Sequence, residues 1–200
     1  GSGSVSLAAI STDIGNVTID GSGEVTLNGN ITTAGGNIDI NEATNLGTAV
    51  ALTTAGGTVN FASTIDGAQN FDISSGAGAV TITGTIGGDV ALATLDINDS
   101  SGAGTISLKD IGDTNTQGVT GTSNIGNDTT VTLDLGGTTY KTDAVTYTTK
   151  AGENIDLTGG ADTTFTTSND DITFGTGTVE MGNGSNLIID TGTGGGAIEL

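Results

Sequence analysis

The sequence contains no Cys, no Pro, no Trp, no His and no Arg. Each absence removes a class of function. Without Cys there is no disulfide framework, no thiol nucleophile and no zinc–thiolate site. Without His the commonest general base is missing, and with it the Ser-His-Asp triad and most transition-metal sites. Without Arg there is no bidentate clamp for carboxylate or phosphate. Positive charge is scarce: Lys109, Lys141 and Lys150 stand against 23 acidic residues, for a net charge of −20. Such a surface repels nucleic-acid backbones and anionic membranes. No apolar run approaches the roughly 20 residues that span a bilayer, so no membrane insertion is expected.

What is present in excess is Gly and Thr, at 36 and 39 of 200 residues. Gly-rich acidic chains are often disordered. Residue order points elsewhere. Apolar residues recur at i and i+2, the period of a strand with one buried face. Examples are Val5/Leu7, Val17/Ile19, Ile38/Ile40, Val59/Phe61, Phe71/Ile73, Val80/Ile82, Val90/Leu92, Val131/Leu133, Ile155/Leu157 and Ile172/Phe174. Gly, Asn, Asp and Ser clusters separate them, which is turn chemistry. No segment has helical periodicity, so the expected class is all-β.

The spacing sharpens this expectation. Val17, Ile38, Val59 and Val80 follow one another at 21 residues. The turns keep the same period: Thr32-Thr33-Ala34-Gly35-Gly36 returns as Thr53-Thr54-Ala55-Gly56-Gly57, and Ser74-Ser75-Gly76-Ala77-Gly78 follows 21 residues later. A short-strand repeat near this length is the mark of a solenoid, in which each coil buries its apolar side only against its neighbours. About nine coils at the ~4.8 Å strand spacing make a rod on the order of 40 Å long. Proline is absent because strand amides donate from coil to coil. A β-sandwich with strands every 8–12 residues is the alternative, but it does not require one register in both strands and turns. The expected fold is therefore a parallel β-helix.

The register breaks near residue 113. "TVTLDLGGTTYKTDAVTYTT" at 130–149 suggests paired strands around Gly136-Gly137, a hairpin signal. The expected organisation is solenoid coils over 1–112, a loop and β-hairpin excursion over 113–149, and coils again over 150–200. The apolar pair Ile198/Leu200 and the lack of a polar cap at either end suggest a segment of a longer rod, or one covered by other copies.

Segments such as "STIDGAQNFDISSGAGAVTITGTIGGDVALATLDIN" and "GENIDLTGGADTTFTTSNDDITF" resemble the repeats of filamentous-haemagglutinin-like bacterial adhesins. The resemblance covers roughly 15–112 and 148–200. It implies a right-handed parallel β-helix, exported to the bacterial cell surface, that serves as a stalk in adhesion or biofilm. The chain departs from that family in having no recognisable secretion or receptor-binding module.

Candidate sites are few. "DTNTQG" at 113–118 has the look of a calcium loop, but its twelfth position is Asn124 where a bidentate Glu is required. Asp113, Asn115, Asp170 and Asp171 are the weak calcium candidates, and calcium is the only cofactor left open. Asp110 with Asp113, or Asp170 with Asp171, are the nearest approach to a glycosidase carboxyl pair. Solvated turn acids are the simpler account of both. The expectation is a non-enzymatic, extracellular structural segment of a surface adhesin or biofilm filament. Its partners would be flanking repeats, other copies, or a host or matrix glycan or protein. The alternatives are a self-assembling homopolymer and a glycan-binding or glycan-cleaving β-helix.

Overall fold

The computed structural model describes residues 4–182 and 184–200. It is an all-β, parallel β-solenoid of about nine coils. Each coil turns through three faces, A, B and C. Coil 1 consists of β1 (Val5–Leu7), β2 (Ile10–Thr12) and β3 (Val17–Ile19). Coil 2 holds β4 (Val25–Leu27), β5 (Ile31–Thr33) and β6 (Ile38–Ile40). Coil 3 holds β7 (Thr44–Leu46), β8 (Val50–Thr54) and β9 (Val59–Phe61), and coil 4 β10 (Ile65–Asp66), β11 (Asn70–Ser74) and β12 (Val80–Ile82). In coils 5 and 6 only faces B and C carry strands: β13 (Thr94–Ile97) and β14 (Ile106–Leu108), then β15 (Ser123–Ile125) and β16 (Thr132–Leu135). Coil 7 has β17 (Thr139–Lys141), β18 (Val145–Tyr147) and β19 (Asn154–Leu157). Coil 8 has β20 (Thr163–Thr166), β21 (Ile172–Phe174) and β22 (Thr178–Met181), and coil 9 β23 (Leu187–Asp190) and β24 (Ile198–Glu199).

Side chains at i and i+2 of each strand point inward and stack on their equivalents. On face C the register Val17–Ile38–Val59–Val80–Ile106–Leu133–Ile155–Val179 is continuous. Its first three steps are 21 residues, as the sequence spacing requires. All six aromatics lie inside. Phe61 and Phe71 meet edge to face at 5.7 Å. Tyr140, Tyr147, Phe165 and Phe174 form a second cluster with centroid separations of 4.9–6.4 Å.

The repeated Thr-Thr-Ala-Gly-Gly turn is the corner between faces B and C. Its second Thr points inward and its hydroxyl donates to the carbonyl three residues on: Thr33 to Gly36 and Thr54 to Gly57, both at 2.5 Å, and Ser75 to Gly78 at 2.6 Å. The first Gly takes a left-handed backbone, with φ of 118° at Gly35 and 112° at Gly56. The last Gly is set by crowding. A Cβ on Gly57 would lie 2.2 Å from the Gly36 carbonyl oxygen, and one on Gly78 2.0 Å from that of Gly57. Each corner glycine rests on the corner of the coil before it.

The structure differs from the expected excursion over 113–149. No hairpin forms. β16 pairs in parallel with β14 and β19 on face C, and β17 pairs with β20 on face A. Gly136-Gly137 is the corner between them. Neither glycine has the positive φ that a two-residue hairpin turn demands. Gly137 is required by close approach, since a Cβ there would lie 2.7 Å from the Asp110 amide nitrogen. The extra residues of this region enlarge corners and leave the stack unbroken. Two alternation pairs are also shifted: Val90 and Val131 point outward, while Leu92, Leu133 and Leu135 are buried.

Replacing Gly78 by Ala is expected to destabilise the chain by at least about 2 kcal/mol, because the coil beneath must move. Gly21→Ala, where the nearest atom is a Glu42 carboxylate oxygen at 3.8 Å, serves as the neutral control. Thr54→Val is expected to cost about 1–2 kcal/mol by orphaning the Gly57 carbonyl it serves. Thermal denaturation followed by circular dichroism measures all three.

Candidate functional site

Like the A side of coils 5 and 6, the B–C edge of coils 5 to 7 departs from the repeat. Insertions at residues 98–102 and 126–131 lengthen this corner. Asn98 adopts φ 50°, and its side chain replaces the regular turn. Its Oδ1 accepts the Ser75 amide at 2.8 Å and its Nδ2 donates to the Ser75 hydroxyl at 2.9 Å. Asn127 continues the column, donating from Nδ2 to the carbonyls of Asn98 and Gly102. Asn98 and Ser75 are fully buried, and the network satisfies them from within.

Outside this network lies an open groove of about 430 Å³, lined by Asp99, Asn124, Gly126, Asn127, Asp128, Thr146 and Thr148. The outward column of face B runs beside it: Asp72, Asp96, Asn124 and Thr146 in register on successive coils. Asn124 donates to Asp96 at 2.8 Å. Burial, and then the charges of Asp99 and Asp96, push the Asp72 carboxyl above its ordinary value. The lining has no cation and no aromatic ring. It therefore repels anions and offers no platform on which a sugar ring could stack.

The A–B edge carries the acids singled out from sequence. Asp113 and Asn115 share one turn in coil 6. The Asp113 Oδ1 accepts the amides of Asn115 and Thr116, both at 2.6 Å. These bonds hold its carboxyl below the ordinary range. Gly118 closes the turn because a Cβ there would strike the Gly112 amide at 2.2 Å. Asn124, the twelfth position of the supposed calcium loop, lies within β15. Asp170 and Asp171 sit two coils further along. The Asp171 Oδ1 accepts the Ala197 amide at 2.7 Å. Asp110, the other half of a supposed carboxyl pair, accepts the amides of Thr138 and Thr139 at 2.8 and 2.9 Å. Asp110, Asp113 and Asp171 thus face backbone of their own or the next coil, while Asp170 faces Asp143. Among the described residues, no three acidic side chains converge as a group that could hold a metal ion.

Asp143 is the acid that sequence reasoning missed. It lies in coil 7, between Gln117 of coil 6 and Asp170 of coil 8, and hydrogen-bonds with both. Burial raises its carboxyl, and the hydrogen bond and charge of Asp170 raise it further. The 27-residue separation of Asp143 and Asp170 becomes meaningful only once the lengths of coils 7 and 8 are known. Beside this pair is a small cavity of about 180 Å³ lined by Gln117, Lys141, Thr142, Thr166, Thr167 and Ser168. No protein-family model, no curated protein and no solved structure matches this chain.

The raised Asp143 carboxyl fixes the sign of a pH effect. Its stabilising contribution is complete below the unfolded value, about pH 3.9, and is lost as pH climbs through the raised folded value. Asp113 has the opposite sign, with a contribution present above the unfolded value and lost as pH falls through the lowered one. Asp143→Asn keeps a donor toward Asp170 at every pH. Its melting temperature is expected to exceed that of the parent at pH 7 and to converge with it near pH 4, as read from melting curves at a series of pH values.

Proposed function

We propose that this chain is a non-catalytic structural segment, the stalk of an extracellular bacterial surface adhesin or biofilm-matrix filament. The observation that carries this reading is the unbroken register of face B through all nine coils, from β2 to β24. A rod of this kind transmits position along its axis and needs no chemistry of its own. The buried aromatics and the backbone-bound acids support it, because the six rings present no stacking platform and Asp110, Asp113 and Asp171 are held by backbone amides. The excess of acid keeps the rod soluble and self-repelling along its flanks. The repeat style resembles adhesin stalks, which gives the reading its cellular setting.

In this reading the partners along the rod axis are further repeats of the same kind. A second reading, a self-assembling filament, puts other copies there.

The test of location is protease accessibility of an epitope-tagged copy on intact cells. Cleavage without lysis is expected, and a tag protected until lysis would overturn the surface assignment. Electron microscopy of the purified chain separates the two readings: single rods on the order of 40 Å support the stalk, and continuous fibres support the filament. Glycan binding or hydrolysis across a broad oligosaccharide panel would overturn both in favour of a sugar-active β-helix.

A further inference from the structure

Face A is not uniform along the rod. In coils 1 to 4 its strands β1, β4, β7 and β10 pair over two or three residues, and in coils 7 to 9 β17, β20 and β23 pair over three or four. Between these blocks the sheet narrows to single bridged residues: Ile65 to Ile86, Ile86 to Ile111 and Ile111 to Tyr140. Faces B and C keep three or four paired residues at every step through the same coils.

The ladder across this gap is split into isolated bridges: one at Ile86 and Ile111, and a second where Leu92 donates to Gly118 and accepts from Thr120, both at 2.9 Å, and Val119 accepts from Asp143 at 3.1 Å. Ile86 donates to Asp110 at 2.9 Å and accepts from Gly112 at 2.7 Å, and Ile111 donates to Thr139 at 2.9 Å and accepts from Lys141 at 2.8 Å. The second bridge, Leu92 to Val119, lies toward face B. Two carboxylates stand in for missing ladder bonds. The Asp66 Oδ1 accepts the amides of Asp89 and Val90 at 2.9 and 3.0 Å, one coil above. The Asp110 Oδ1 accepts those of Thr138 and Thr139. The opposite edge is tied differently. There the buried Ser75–Asn98–Asn127 network joins coils 4, 5 and 6 without exposing its polar atoms.

We infer that coils 5 and 6 form a directional joint: the rod bends there by opening face A, hinged on the continuous faces B and C, and the Asp66 and Asp110 carboxylates set its stiffness. In a stack where each coil touches only its neighbours, a thin step is not compensated from elsewhere. Local opening concentrates where few ladder bonds are present. A carboxylate on a rotatable side chain yields before a backbone ladder does, whereas a fully satisfied buried network rigidifies its edge. The joint exists whatever the rod carries, and it lets one segment reorient against the other without breaking the stack.

Hydrogen exchange on the intact chain tests this, with rates corrected for intrinsic exchange. The amides of Ile86, Gly87, Ile111, Gly112 and Lys141 are expected to exchange about tenfold faster than paired amides of β12, β14 and β16 on face C of coils 4 to 6. Asp66→Ala and Asp110→Ala should raise exchange on face A several-fold further and leave face C unchanged, while Asp66→Asn and Asp110→Asn, which keep an acceptor, should restore the parent rates. Equal protection of faces A and C in the parent chain would overturn the inference, and so would alanine variants that loosen all three faces alike. If an alanine variant does not fold, the comparison of faces in the parent chain decides alone.

Discussion

Parallel coils stacked at strand spacing leave almost no room where the chain turns from one face to the next. Everything else in this rod follows from that crowding. Each corner must present to the coil beneath it a backbone without a side chain, which is why Gly36, Gly57, Gly78 and Gly104 form a column, each over the carbonyl of the one before. The same crowding removes water from the corner, so its carbonyls must be satisfied internally. The inward hydroxyls of Thr33, Thr54 and Ser75 do this at fixed offsets. The Gly and Thr excess is therefore the chemical consequence of the stacking distance. It is not a sign of flexibility.

That constraint also explains how much of the fold could be read in advance. The strands of faces B and C and the corner between them carry the 21-residue register over coils 1 to 4, because that inward ladder and the corner column are built from the same repeat, while face A steps by 20, 19 and 21 residues. The reading failed where the corners grow. Gly136-Gly137 looked like a hairpin because two glycines in sequence do not reveal whether they serve positive φ or close approach; here Gly137 serves close approach to the Lys109–Asp110 backbone. Val90 and Val131 were misassigned for a related reason. Both sit at the rims of enlarged corners, where the alternation of a strand no longer applies. Of the expected sites, the turn geometry of Asp113 and Asn115 was legible as an Asp-rich loop, but not that its carboxylate folds back on its own amides. Asp143 was invisible because its partners lie one coil away in either direction. Those coil lengths, unlike the first four, are irregular.

The acidic residues divide by where they stand. At corners, Asp110, Asp162 and Asp171 accept amides of the adjacent coil, and Asp66 does so from the end of β10. Each does the work of an absent strand residue. On strand faces, the acids are stacked in register by the fold itself, as Asp134, Asp156 and Glu180 are on face C. There the solenoid forces like charges together, and burial with the charges of Glu180 and Asp134 raises the Asp156 carboxyl. The same side-chain type thus strengthens the stack at its edges and strains it on its faces. With three Lys available, the strain is not relieved by pairing.

Such a division bears on what the molecule can be. Inserting residues between faces leaves the register of faces B and C intact; coils 5 and 6 absorb five to seven additional residues in this way, while face A shrinks to single bridges. A function that needs a shaped site can therefore be added to a solenoid only at its edges, as a loop that projects or a groove between loops. In this chain the enlarged edges are filled by their own polar network, Asn98 with Ser75 and Asn127, and by Asp113 closing its own turn. Their hydrogen-bonding capacity is spent on holding the coil shut. A surface whose polar groups already answer to the backbone, with its aromatic residues inside, is organised to persist as a rod and to vary in length or bend. That is the demand the proposed stalk role would place on it.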